Sequence, residues 1–270
     1  MTADDAALLV DLPKWAFAFV LVLSRIAAAF MLLPAFGEAE LPAMVRAGLA
    51  VVFTLVLLPV VAPLLPAMPD NGFVALIAVA GETIVGIWLG WLARLLILAL
   101  PMAGQIIANV IGLASVLQPD AMLGPQGSAL GRLFALAAPV AVMATGLHAL
   151  PLAALEGSYH VLPPYSLATG PGLVVGLSLA PGDAAQAIVA AVGNSFGLAL
   201  RLAAPFVLAA IVWNLALGLL SRLVPQWQLY FAVLPGQIIG GFLLLGLLSG
   251  AVLSAWLAAV RDGLSTLPGL

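Results

Sequence analysis

A chain of 270 residues that is 64% apolar and only 7% charged, with a mean hydropathy of +1.24, excludes a soluble globular protein, because a water-facing surface draws on about 25% charged residues. Eight basic and eleven acidic residues leave a formal net charge of −3, which excludes the clustered Lys/Arg footprint of a nucleic-acid binder. The absence of cysteine removes disulfides, thiolate catalysis and cysteine-held metal or iron–sulfur sites.

The N-terminal stretch sets Asp4, Asp5 and Asp11 against a lone Lys14. This is the reverse of a basic signal-peptide n-region, so the first apolar segment is expected to be retained. About 20 apolar residues cross the roughly 30 Å of bilayer hydrocarbon. On that measure, spans are predicted over Trp15 to Ala35 and Ala43 to Leu65. A third covers Phe73 to Leu100, with a break at Pro101 before the apolar stretch Met102 to Leu117. A fourth covers Ala129 to Leu155, and the Pro/Gly/Ser/Tyr-rich residues 156–183 are expected to form an irregular loop. The last two, Ala184 to Leu223 and Leu229 to Val260, flank Pro225-Gln226-Trp227-Gln228. The expected architecture is an all-α integral membrane protein of about six long hydrophobic segments forming a single membrane-embedded domain over 1–270.

Twenty-seven glycines and twenty prolines fall inside these segments as well as between them. Glycines four apart, at Gly86/Gly90, Gly193/Gly197, Gly236/Gly240 and Gly246/Gly250, place small residues near one helix face and predict close helix contacts. Pro139, Pro205 and Pro235 each remove a helical hydrogen bond and are expected to kink or break their segments. Arg25 and Arg201 stand near the middle of their segments, where a lipid-facing charge costs about 2.5–3.5 kcal/mol on insertion scales. Either each snorkels or pairs with an acid inside the bundle, or these segments pack within a larger protein assembly. The arginines are spread one per segment and give no orientation.

No catalytic or metal constellation emerges. His148 and His160 are twelve residues apart and match no metal-ligand spacing. Gly170-Pro171-Gly172 and Gly176 have one residue too many for a dinucleotide fingerprint, and there is no P-loop. Glu82 reads in two ways, as a helix-entry charge after Asp70 and Gly72 or as a buried membrane carboxylate. Glu38 and Glu40 read as solvated. The stretch from Gly112 to Pro125, whose one charge is Asp120, is an apolar loop that serves either as an interhelical turn or, buried among helices, as a plug.

The interruptions, taken in order, resemble the FliR/SpaR family of flagellar and type III secretion export-gate proteins over nearly the whole chain. The resemblance rests on Arg25 with Pro34, Pro42 and Arg46, on Glu82-Thr83-Ile84-Val85-Gly86 with Gly90, and on Ala103-Gly104-Gln105 with Gly112. It continues through Gly146-Leu147-His148, Ser158-Tyr159, Pro163, Ala204-Pro205, Asn214, Gly218, Arg222, Pro225-Gln226 and Pro235. Three places depart from the family pattern: Gln118-Pro119-Asp120, Gly146-Leu147-His148, and Gln228 after Pro225-Gln226.

The resemblance implies a non-catalytic, cofactor-free subunit of a flagellar export gate in the bacterial inner membrane at the basal body. It implies assembly with other export-gate membrane subunits into a helical hetero-oligomer that passes unfolded protein substrates. It further implies that residues 110–125 occlude the closed pore, with Leu113, Val116, Leu117, Met122 and Leu123 as sealing contacts. Partner or helix packing falls to Arg25, Glu82, Gly86, Gly90, Arg201, Arg222, Pro225 and Gln226. The alternative is a secondary transporter with Glu82, Arg25 or Arg201 at a solute site.

Overall fold

A computed structural model describes residues 3–113, 128–164, 181–223 and 228–270. The described residues are helical, without strands: α1 Ala3–Phe30, α2 Ala43–Val61, α3 Gly72–Val110, α4 Ala129–Ala144, α5 Ala149–Val161, α6 Pro181–Leu223 and α7 Gln228–Leu264, with a short 3-10 turn at Ala62–Leu64. Five helices are long and apolar enough to cross a membrane. The α4–α5 pair, interrupted at 145–148 where Gly146 takes φ +74°, makes a sixth if counted as one span. The protein is an all-α membrane protein.

Helix boundaries follow local chemistry. Asn71 caps α3, its Oδ1 accepting from the Phe73 amide at 2.9 Å. Ser128 does the same for α4, its Oγ accepting from the Gly131 amide at 3.0 Å. Pro42, with ψ 138°, is extended and immediately precedes α2. α1 begins at Ala3, upstream of the predicted span.

Two expectations are corrected. Pro101 does not break the third segment, which continues as one helix of 39 residues; Pro139, Pro205 and Pro235, expected to kink or break their segments, lie inside continuous helices, so none of the three breaks its segment. One proline removes a single hydrogen bond, which neighbouring groups re-satisfy when the surrounding segment is apolar and packed. The segment expected to be irregular from residue 156 is helical through Val161, because Ala149–Val161 forms a continuous helix ended at Leu162.

The chain divides into two compact units, one of Met1–Leu95, Val142–Ala191 and Gly263–Leu270, the other of Leu96–Ala141 and Val192–Asp262. In the first unit Leu21, Ile26, Phe30, Leu89, Leu155 and Leu264 are fully or almost fully buried. The Phe30 ring lies 4.9 Å from that of Phe36 and 5.6 Å from that of Phe53, centroid to centroid. In the second unit the buried set includes Leu100, Ile107, Phe206 and Trp256. Large apolar side chains remain exposed along α2, α6 and α7, as bilayer or protein neighbours require.

Candidate functional site

The first unit is organised around a buried ion pair. Arg25 comes from α1 and Glu82 from α3, with side chains only 1% and 5% exposed. The Arg25 Nε donates to Glu82 Oε2 at 2.6 Å and its Nη2 to Oε1 at 3.0 Å, a bidentate fork that satisfies both carboxylate oxygens. Nη1 donates to Ser158 Oγ at 3.0 Å, and Nη2 also donates to the Leu162 carbonyl at 2.8 Å. That carbonyl is available because α5 has ended at Val161, leaving its last carbonyls without helical partners. The guanidinium carbon stands 4.1 Å from the centroid of the Tyr159 ring, a cation–π contact. One side chain thus ties three helices together.

Gly86, one turn beyond Glu82, explains how the pair can form. A Cβ at Gly86 would collide with the Arg25 carbonyl oxygen and lie 3.0 Å from the Ala28 Cβ. At Gly90 a Cβ would lie 2.9 Å from both the Ala29 carbonyl oxygen and the Leu32 Cβ. The glycines let α3 approach the α1 backbone closely enough for Glu82 to reach Arg25. Glu82 stands ten residues past the start of α3, beyond the first turn where a helix-entry charge acts, so that reading of it is overturned. Below the same helix pair, Arg46 donates to the Glu38 carbonyl at 2.8 Å, and Arg94 lies 3.6 Å from the Glu38 carboxylate. Glu38 is therefore half-buried and paired rather than freely solvated, whereas Glu40 is exposed.

In the second unit, the two ends of the candidate occluding segment are pinned. Gln237 of α7 donates from Nε2 to the Val110 carbonyl at 2.9 Å, at the end of α3. Next to it Gly241 accepts the Ile111 side chain, where a Cβ would meet the Ile111 Cβ at 2.5 Å. Gly112 takes φ +83°, a left-handed conformation that turns the chain out of the helix. At the other end, Gln105 Oε1 accepts from the Ser128 amide at 2.8 Å. α3 and α4 meet there through Gly104, whose Cβ would stand 3.0 Å from the Gly131 Cα. Of the predicted sealing residues, Leu113 is half-buried just after Gly112. Val116, Leu117, Met122 and Leu123 lie outside the described residues, as do Pro225 and Gln226.

The remaining candidates do not join either cluster. Arg201 is exposed midway along α6, and Arg222 is exposed in its last turn. Gly193 and Gly197 face open space among the described residues, as do Gly246 and Gly250, while a Cβ at Gly236 would stand 3.5 Å from the Trp213 ring. His148 immediately precedes α5 with a buried Nδ1 lacking a partner among the described residues, and His160 is exposed. No group of three His, Asp or Glu that can hold a metal occurs among the described residues. Sequence reasoning missed Gln237, Ser128 and the role of Leu162. Gln237 left one available signal, an uncharged amide directly after Pro235-Gly236 in an otherwise apolar run.

Both clusters fall inside residues 16–263, the range matched by the family described as bacterial export proteins, family 1. The chain belongs to that family. It is 30% identical to the flagellar biosynthetic protein FliR of Caulobacter vibrioides over 242 residues, covering 90% of this chain and 92% of that protein. It is 28% identical to the protein of the same name from Bacillus subtilis, covering 84% of each chain. Against that of Escherichia coli the identity is 27%, over 87% of this chain and 85% of the other. Similarity of this length to members of the bacterial export family reaches from the second half of α1 into α7, so the Arg25 clamp and the pinned segment ends both belong to the shared region.

Proposed function

We propose that this chain is a non-catalytic subunit of the flagellar-type protein export gate, assembled with other membrane subunits in the bacterial inner membrane at the flagellar basal body. The observation that carries the reading is its near-full-length similarity to flagellar biosynthetic proteins within an export family. Unfolded export substrates pass through the assembled channel, and residues 110–125 hold it shut between export events. The pinned ends support this role: the two stems of the apolar segment are hydrogen-bonded to α7 and α3, so the segment is anchored at both sides. The Arg25–Glu82 clamp serves the scaffold, since both charges are consumed by each other and by Ser158 and Leu162.

The test removes the segment. Deleting residues 113–123 is expected to leave the chain in its assembly and to make the membrane conduct ions, read as whole-membrane or single-channel current. Normal assembly with unchanged conductance would sink the occlusion role. Recovery of the wild-type chain alone, with no other membrane subunit, would sink the gate itself.

A further inference from the structure

Among the described residues, Arg201 is an arginine without an acid beside it. It sits on a helix whose apolar region, Ala184–Arg222, is 39 residues long, or about 58 Å at 1.5 Å per residue. Bilayer hydrocarbon is about 30 Å thick, so lipid covers only about half of that length. Yet large apolar side chains are exposed on both sides of Arg201, among them Phe196 and Leu200 before it and Leu208 and Leu215 after it. If Arg201 lies within the hydrocarbon, its charge needs a partner. If it lies at the boundary, an apolar half-helix projects beyond lipid and needs protein cover. Either placement calls for a protein neighbour along this helix.

The face has a definite chemistry. Gly193, Gly197, Arg201, Ala204 and Leu208 fall on one stripe of the helix at spacings of three and four. Nothing described lies within 4 Å of a Cβ built at either glycine. Ala199, Leu202 and Phe206 are buried on the other side. Among the described residues Arg201 enters no ion pair or hydrogen bond. We propose that this stripe seats a transmembrane helix of a different membrane subunit, close-packed against Gly193 and Gly197, with an Asp or Glu of that helix paired to Arg201. A symmetric contact with a second copy is disfavoured because it would set Arg201 against Arg201. This inference rests on the reading of the chain as a subunit of a mixed assembly, and names the contact that holds it there.

The experiment uses the full-length tagged chain in its own membranes, comparing wild type with R201K, R201L and R201E. R201K is expected to keep the partner subunits, whereas R201L and R201E lose them by about tenfold or more, as for breaking a desolvated pair. Motile revertants of R201E are expected to carry an Asp or Glu changed to Lys or Arg in another membrane subunit. R201L retaining partners at wild-type yield overturns the contact while leaving the gate reading intact; a wild-type chain that purifies alone overturns both. Should R201L fail to accumulate, a photo-cross-linking residue at Leu208 with Arg201 intact decides. Linkage to an acid-bearing helix supports the contact, and linkage only to lipid or to a second copy overturns it.

Discussion

Arg25 donates four hydrogen bonds from a site that water does not reach, so the consequence of mutating it depends on what is left behind. R25L leaves the Glu82 carboxylate buried and alone, and breaking a buried pair in this way costs about 3–5 kcal/mol. The expected result is a sharp fall in resistance to denaturation in detergent, read by tryptophan fluorescence. E82Q should cost less, because an amide still accepts one of the two bonds from Arg25. The double variant R25L/E82L removes both charges and should recover most of the loss; strict additivity of the two single losses would show that the pair is not coupled. Tyr159 separates two contributions, since its buried hydroxyl has no partner among the described residues while its ring lies under the guanidinium. Y159F should therefore be nearly neutral, and Y159L should lose the cation–π contribution of about 2 kcal/mol in a desolvated setting. Arg25 and Glu82 were both conspicuous in the sequence as charges in apolar runs. Their pairing was not, because two positions 57 apart in sequence carry no periodicity that reports a contact between helices.

Helix existence was legible because apolar runs of spanning length have few alternatives in a membrane. Helix ends and interruptions were less so. Pro101 reads as a stop from local sterics, but Ala99, Leu100 and Ala103 around it are buried, and that packing outweighs one missing bond. The glycine pairs also looked alike in sequence and differ in use: Gly86/Gly90 face the α1 backbone, whereas Gly193/Gly197 face open space. The difference gives an element-scale prediction. G86A drives a methyl group into the Arg25 carbonyl, and neither backbone can yield cheaply, so it should destabilise the monomer and reduce its level in membranes. G193A meets nothing described and replaces a poor helix former by the best one, a gain of up to about 1 kcal/mol. Stability of the isolated chain in detergent should therefore fall for G86A and hold or rise for G193A. The reverse order would mean that α1 and α3 do not meet as described. A fold-neutral G193A that impairs export would place its effect at a surface between subunits.

On the proposed reading, occlusion depends on how the segment around 110–125 is tied to the rest of the chain, and two of the ties among the described residues are amide side chains. Gln237 holds the Val110 carbonyl and Gln105 holds the Ser128 amide, so each fixes one stem of the segment. The sequence marked them only as amides in apolar runs, which signals a partner without naming it. Removing one such bond costs about 0.5–1.5 kcal/mol. If shut and open arrangements differ in these bonds, each loss shifts their ratio by roughly twofold to tenfold, since 1.4 kcal/mol is a factor of ten. Q105A and Q237A are each expected to raise the resting ion conductance of membranes by that order. Because the two bonds hold separate stems, the double variant should approach the product of the single effects. Assembly and protein level should stay near wild type, since neither glutamine belongs to the Arg25 clamp. Resting current unchanged in the double variant, at normal assembly, would show that the stems do not hold the segment shut. In that case occlusion would have to reside in the apolar contacts of the segment itself, which the 113–123 deletion removes and the glutamine variants leave in place.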